Sequence, residues 1–267
     1  MPIEPLPVVK GHAYGNDFLL VSEGALGDRR PSELARAICH PHTGIGADGL
    51  ILFMPEPGGA SMRLFNPDGG RVEVSGNGIR CLAALLQRDH GGDAELCIRT
   101  ASGPKRLTRL DRDGSRWRFL ARMGAPSAIR SLEFEVSGER MTVISLWMGN
   151  PQCVLLGADP DPGRFQALGR ALATHPAFPD GTNVEFAVVD RPDRVRIQIW
   201  ERGVGPTSSS GTGSCAAAVA AATFGGADRA VDVVAPGGTQ RVEWAPDGDV
   251  LLTGWAELLL EGSWLPG

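Results

Sequence analysis

One segment of this chain occurs twice. SGNGIRC, Ser75 to Cys81, returns 135 positions later as SGTGSC, Ser210 to Cys215, and the two copies run into apolar segments, LAALLQ and AAAVAAA. Three further matches keep the same order. GNDFLLV (Gly15 to Val21) is answered by GNPQCVLL (Gly149 to Leu156) at offset 134, and GADGLILF (Gly46 to Phe53) by GTNVEFAVV (Gly181 to Val189) at offset 135. RLFNPDGG (Arg63 to Gly70) is answered by QIWERGVG (Gln198 to Gly205), also at offset 135, with Asn66 opposite Glu201. A single short match would carry little weight. Four in one order, at an offset near half of 267 residues, point to a tandem duplication, so the fold must build one architecture twice.

Each half reads mostly as strand. VISLWMG, NVEFAVV, RVRIQIW and ELCIRT are short runs rich in Val, Ile, Leu and Trp, bounded by Gly, Pro and Asp. Helices are fewer. PSELARAICH carries Pro31 with Ser32 as its capping residue, RFQALGRALATH reads as a helix despite Gly169, and the segments after Ser75 and Ser210 have the Ala and Leu content of helices. The expected fold is α+β: two pseudo-symmetric domains, each a mainly antiparallel β-barrel around a central helix. Gly and Pro in MGAPS (Met123 to Ser127) suggest the join, giving domains over 1–124 and 125–267, with the last strand free to return to the N-terminal domain.

Composition excludes several function classes. The net charge of −5 contains no long basic run, so nucleic acid is not an expected partner. No apolar stretch is long enough for a membrane helix, and no basic region followed by an apolar core opens the sequence, so neither membrane insertion nor export is expected and the expected location is cytoplasmic. Cys39, Cys81, Cys97, Cys153 and Cys215 are odd in number, scattered, and free of CxxC pairs. That pattern fits neither a disulfide framework nor a metal cluster, and no metal is expected.

The duplicated loop itself suggests chemistry. A Gly-rich turn that opens a helix directs backbone N–H groups toward an anion at the positive end of the helix dipole. With two such turns related by a pseudo-twofold axis, the expectation is one small anion held between two helix N-termini, with Ser75 and Ser210 on opposite sides. That symmetry suits a carbon that loses a proton from one face and gains one on the other. The plainer role for both serines is helix capping, and the loops match neither a P-loop nor a dinucleotide-binding fingerprint.

Taken together, GNDF, FNPDGGRVEVSGNGIRC, MGNPQC, TNVEF and ERGVGPTSSSGTGSCAAAVAA resemble the diaminopimelate epimerase family over nearly the whole chain. The resemblance implies a cofactor-independent isomerase that interconverts LL- and meso-diaminopimelate in lysine and cell-wall precursor biosynthesis. Its partner is then a small amino acid, and a homodimer is compatible with it. The substrate contacts it implies are Asn16, Asn66, Asn150, Asn183, Glu201 and Arg202, with Gly76, Asn77, Gly211 and Thr212 holding the α-carboxylate. Ser75, Ser210 and Glu201 take the catalytic positions. Arg202 offers a two-pronged donor to a distal carboxylate, and Glu201 an acceptor for an ammonium.

The departures are specific. The residues that open the two loops are cysteines in the family, one a base and the other an acid, and here both are serine. The family's histidine two residues after the Asn of GNPH is Gln152, and a Gln often found after GAD is Gly49. A thiol with a reference pKa near about 8.5 becomes a usable base at a helix N-terminus. An alkanol requires an adjacent base. The residues leave three readings open: an epimerase working through hydroxyls, a related racemase or dehydratase with Ser in place of Cys, and an amino-acid-binding protein without turnover.

Overall fold

The computed structural model describes residues 4–157 and 159–265. The chain divides into two compact units, one formed by residues up to Ala121 with the segment from Trp255 onward, the other by Arg122–Gly254. The first contains β1 (Leu6–Ala13), β2 (Asn16–Ser22), α1 (Pro31–Ile38), β3 (Gly49–Glu56), β4 (Gly59–Phe65), β5 (Arg71–Val72), α2 (Gly76–His90), β6 (Glu95–Thr100), β7 (Gly103–Asp113) and most of β8 (Arg116–Gly124). The second contains β9 (Ser127–Val136), β10 (Glu139–Trp147), β11 (Pro151–Leu156), α3 (Pro162–Ala173), β12 (Asn183–Arg191), β13 (Arg194–Glu201), β14 (Gly205–Thr207), α4 (Gly211–Phe224), β15 (Ala230–Ala235) and β16 (Gly238–Trp244). The last strand, β17 (Val250–Trp264), begins in the second unit and ends in the first.

The duplication is visible strand by strand. β2 pairs parallel with β3, and β11 pairs parallel with β12. β3–β4 and β12–β13 are antiparallel hairpins, β4–β6 and β13–β15 are parallel, and β6–β7 and β15–β16 close as hairpins. Registers refine the offset. Phe18 faces Gly49 as Gln152 faces Asn183, an offset of 134 on both strands, while Leu50–Phe65 corresponds to Val184–Trp200, where the second partner is 135 on. The extra residue is absorbed by a β-bulge between Val189 and Arg191, the usual way one strand of a pair accepts an insertion. In the first unit β17 pairs with both β1 and β8, so this terminal strand closes the ring.

The two kinds of helix bury different surfaces. Every residue of α2 from Gly76 to Gln87 and of α4 from Gly211 to Ala221 is buried. A helix covered all round must be enclosed, and the strands do this: α2 touches β1, β2, β6 and β7, and α4 touches β10 to β13, β15 and β16. Small side chains let a sheet close around such a helix, and α4 is built largely from them, with alanine at positions 216–218 and 220–222. In contrast, α1 and α3 lie on the outer face of their strands. Phe165, Leu168 and Leu172 of α3 pack on Cys153, Leu155, Val184, Phe186 and Trp200, each large side chain contributing about 1.5–3 kcal/mol by its burial. The α1 cluster of Leu34, Ala35 and Ile38 with Leu19, Val21, Leu50 and Leu52 is its counterpart.

Covered on both faces, β3 and β12 carry near-continuous buried runs. Alternation then assigns sides: Val184 and Phe186 join the outer α3 cluster, and Glu185 between them turns inward to α4. Helix α1 differs from expectation at its start, where Pro31 is the first helical residue and Arg30, not Ser32, holds the capping position without a side-chain cap bond. Proline at N1 suits the helix because its missing N–H would have no partner there. Gly169, an unfavourable residue inside α3, is required by packing, since a Cβ there would lie 2.7 Å from the Trp200 indole.

Candidate active site

Both serines cap their helices. Ser75 has extended backbone (φ −129°, ψ 123°) and its Oγ accepts from the Gly78 N–H at 3.0 Å. Ser210 repeats this at φ −136°, ψ 128°, accepting from Gly213 N–H at 3.1 Å. Each therefore satisfies one of the N–H groups that a helix start leaves without an intrahelical partner. Gly76 and Asn77 at one helix and Gly211 and Thr212 at the other occupy the first turn, where the dipole favours an anion. Among the described residues no imidazole or amine hydrogen-bonds to either serine hydroxyl.

In the first unit a polar chain leads to this turn. Asp48 accepts from Asn16 Nδ2 (2.9 Å) and from the Asp17 N–H (3.0 Å), while Asp17 accepts from the Asp48 N–H (2.9 Å) and pairs with Lys10 (2.7 Å). This reciprocal clasp ties the start of β2 to the start of β3. Asn16 in turn accepts from Asn77 Nδ2 at 3.2 Å, and Asn77 Oδ1 accepts from the buried Arg80 guanidinium. Burial is the main cause that raises Asp48 above the ordinary carboxyl range, with Asp17's charge adding to it and the Asp17 N–H opposing. Asn66 stands apart from this chain, in the β4–β5 turn, where its backbone bonds to Gly69 and Gly70.

In the second unit the contacts are tighter. The Gln152 amide is fully buried and lies within reach of four side chains: Glu185 through Oε1 and Oε2 (3.0 and 3.3 Å), Thr212 through Oγ1 (3.2 Å), Asn183 through Nδ2 (3.2 Å) and the Asn150 amide (2.5 Å). Asn183, whose oxygen is taken by the Arg202 N–H, presents its NH2 and so requires Oε1 to face it and Thr212 and Nε2 to face Glu185; the Asn150 amide then turns its own NH2 to the same oxygen. Asn183 Oδ1 accepts from the Arg202 N–H at 2.9 Å, which fixes the end of β13 where Glu201 and Arg202 are half-buried. The Arg202 guanidinium donates to the Asp180 carbonyl at 2.8 Å. Beneath the loop, Gln240 donates to Ser209 and Ser214, and Ser214 to the Ser210 carbonyl.

Of the residues expected from the sequence, Asn16 and Asn77 are joined in one unit, and Asn150, Asn183 and Thr212 in the other. Glu185 was not expected. It is fully buried, and burial, with a smaller contribution from the charge of Glu201, holds its carboxyl well above the usual range. Read as one turn of an alternating strand, NVEF gives no sign that its acid points into a packed interior. The available signal was the unbroken apolar run around it, the mark of a strand covered on both faces. The cysteines next to the loops supply no base: burial pushes Cys81 up to about 12, and Cys215 is fully buried within α4. Among the described residues no helix is long and apolar enough to cross a membrane, and no group of three or more His, Cys, Asp or Glu is placed to hold a metal.

The diaminopimelate epimerase family model matches residues 8–129 and 144–259, and so both copies of the loop. A diaminopimelate epimerase of Desulforudis audaxviator is 42% identical over 96% of this chain and 98% of its own length. One from Desulfitobacterium hafniense is 35% identical over 96% and 97%. A solved structure of a predicted epimerase from Pseudomonas aeruginosa, at 18% identity, superimposes with a TM-score of 0.76 over 98% of this chain and all of that one, a likeness of fold. With the match running through both halves and through the loops that cap α2 and α4, the chain belongs to the diaminopimelate epimerase family.

Proposed function

We propose that this protein is a cofactor-independent amino acid epimerase that moves a proton at Cα, with LL- and meso-diaminopimelate as its substrate pair. The observation that carries the reading is the pair of serine-capped helix N-termini, one in each unit, each built into a network of neutral amides. N–H groups of Gly76–Asn77 and Gly211–Thr212 suit an α-carboxylate and stabilise the charge that develops on it as Cα loses its proton. Glu201 and Arg202 suit the distal ammonium and carboxylate. Asn16, Asn66, Asn150 and Asn183 complete the set with donors and acceptors that carry no charge. Epimerisation needs a base on one face and an acid on the other, and Ser75 and Ser210 take these positions with hydroxyls. Hydroxyls are weak acids and bases without an adjacent partner, and among the described residues no imidazole or amine hydrogen-bonds to either one, so slow proton transfer is the expectation.

A second reading, amino acid binding without turnover, is favoured by the use of both Oγ atoms as helix caps. The two are separated by ligand binding and α-hydrogen exchange measured on one preparation. Calorimetry is expected to show diaminopimelate binding more tightly than lysine, which lacks the second carboxylate, and Arg202→Lys to weaken it by loss of the two-pronged contact. Equal affinity for both amino acids would remove the substrate assignment. Location in the cytoplasm and assembly as a homodimer accompany this reading, and sedimentation would test the second.

A further inference from the structure

Three of the expected substrate contacts, Asn150, Asn183 and Thr212, meet at one buried amide, that of Gln152. An amide presents a donor end and an acceptor end of nearly the same shape, so its neighbours decide which way it turns. Asn183 brings its NH2 to the Gln152 amide, because the Asn183 oxygen already accepts from the Arg202 N–H, and the Thr212 hydroxyl can donate as well. Those contacts are satisfied only when the Gln152 oxygen faces them, and the opposite end then needs an acceptor. Glu185 is that acceptor, with Oε1 at 3.0 Å and Oε2 at 3.3 Å, and its carbonyl oxygen remains available to the amide NH2 while the carboxyl keeps its proton.

Glu185 is itself held in place. It projects inward near the start of β12 against the first turn of α4, where a Cβ on Gly213 would come within 2.6 Å of Oε1 and 3.1 Å of Ser210 Oγ. The absence of a side chain at Gly213 is what admits the carboxyl to this position. Turned the other way, the Gln152 amide would direct its NH2 at the Asn183 NH2, leaving a buried donor without an acceptor at about 1–3 kcal/mol.

We propose that Glu185 is a positioning residue of the α4 site: wedged against Gly213, its carboxyl sets the direction of the Gln152 amide, and Gln152 in turn holds Asn183 and Thr212 in the orientation that receives the substrate. The proposal rests on the epimerase reading for its ligand, and it assigns Gln152 a structural task that needs no titratable group. A neutral amide at 185 can still accept from Gln152, whereas an apolar side chain cannot.

The test compares wild type, Glu185→Gln and Glu185→Leu after thermal melts show that each is folded. Titrated with meso-diaminopimelate in a calorimeter, Glu185→Gln should bind within about threefold of wild type. Glu185→Leu should bind at least tenfold more weakly, a loss of about 1.4 kcal/mol. In 15N-labelled protein without ligand, the side-chain NH2 signal of Gln152, assigned by its disappearance in Gln152→Met, should stay near its place in Glu185→Gln and move in Glu185→Leu. Should Glu185→Leu fail to fold, Gln152→Met replaces it in the titration, with the same tenfold weakening expected. An apolar variant that binds as tightly as wild type, or a Gln152 signal unmoved by Glu185→Leu, overturns the proposal. If wild type binds no diaminopimelate, the epimerase reading falls and the NMR signal alone judges the positioning role.

Discussion

Glu185 couples the stability of this fold to pH. In the unfolded chain its carboxyl ionises near the ordinary value of about 4.3. In the fold, burial first and the charge of Glu201 second keep the proton on to much higher pH, with the Cys153 thiol also raised by the same surroundings. Between those two limits the folded state binds the extra proton, so stability falls as pH rises, by about 1.4 kcal/mol per pH unit for one group. Melting curves from pH 5 upward should show this loss in wild type and a smaller slope in Glu185→Gln; identical slopes would mean that Glu185 ionises normally. In the first unit the comparable buried contact is Asn77, which joins Asn16 to the Arg80 guanidinium. Replacing Asn77 by Leu removes an acceptor from a fully buried cation and should cost about 1–3 kcal/mol in denaturant unfolding. Sequence motifs pointed to Asn77 because it lies in the repeated loop. They could not point to Glu185, whose role arises from the face of β12 it occupies and from the space left at Gly213.

At the scale of elements, the two serine caps and the outer helices carry separate predictions. Ser75→Ala and Ser210→Ala should each lower stability by about 1 kcal/mol through loss of a cap bond, measurable by thermal unfolding whether or not the site turns over substrate. In α3, Gly169→Ala would gain about 1 kcal/mol in an isolated helix, yet its methyl meets the Trp200 ring at 2.7 Å. Overpacking of about 1–3 kcal/mol outweighs the gain, and the variant should melt at a lower temperature than wild type. Strands rich in Val, Ile, Phe and Trp, such as β12 and β13, were legible from their composition. The long β7 and β9 were not, because GPKRLTRLDRD and SAIRSLEFEV are largely exposed and carry charge where a half-buried strand would carry Val or Ile. Asp161, which caps α3 by accepting from the Arg164 N–H at 2.9 Å, is a signal the sequence did contain.

For the whole molecule, the duplication was the most readable feature, since repeated motifs at one offset demand repeated topology, and the paired registers of β2–β3 and β11–β12 carry it residue by residue. The one-residue drift in that offset was unreadable in its placement, because a bulge is chosen by local strand twist and leaves no composition mark in VVDRPDR. The chemistry is the point at which the sequence departs from its family: each unit has a helix opened by a serine, where the family resemblance implies a cysteine. The measurement that tests this most directly is exchange of the α-hydrogen of diaminopimelate with solvent deuterium, followed by proton NMR for wild type, Ser75→Cys, Ser210→Cys and the double variant. The double variant should exchange at least about 100-fold faster than wild type, the lower end of what general acid–base catalysis contributes, and each single variant much less, since one thiol serves one face only. A double variant that binds diaminopimelate yet exchanges no faster than wild type would contradict the account.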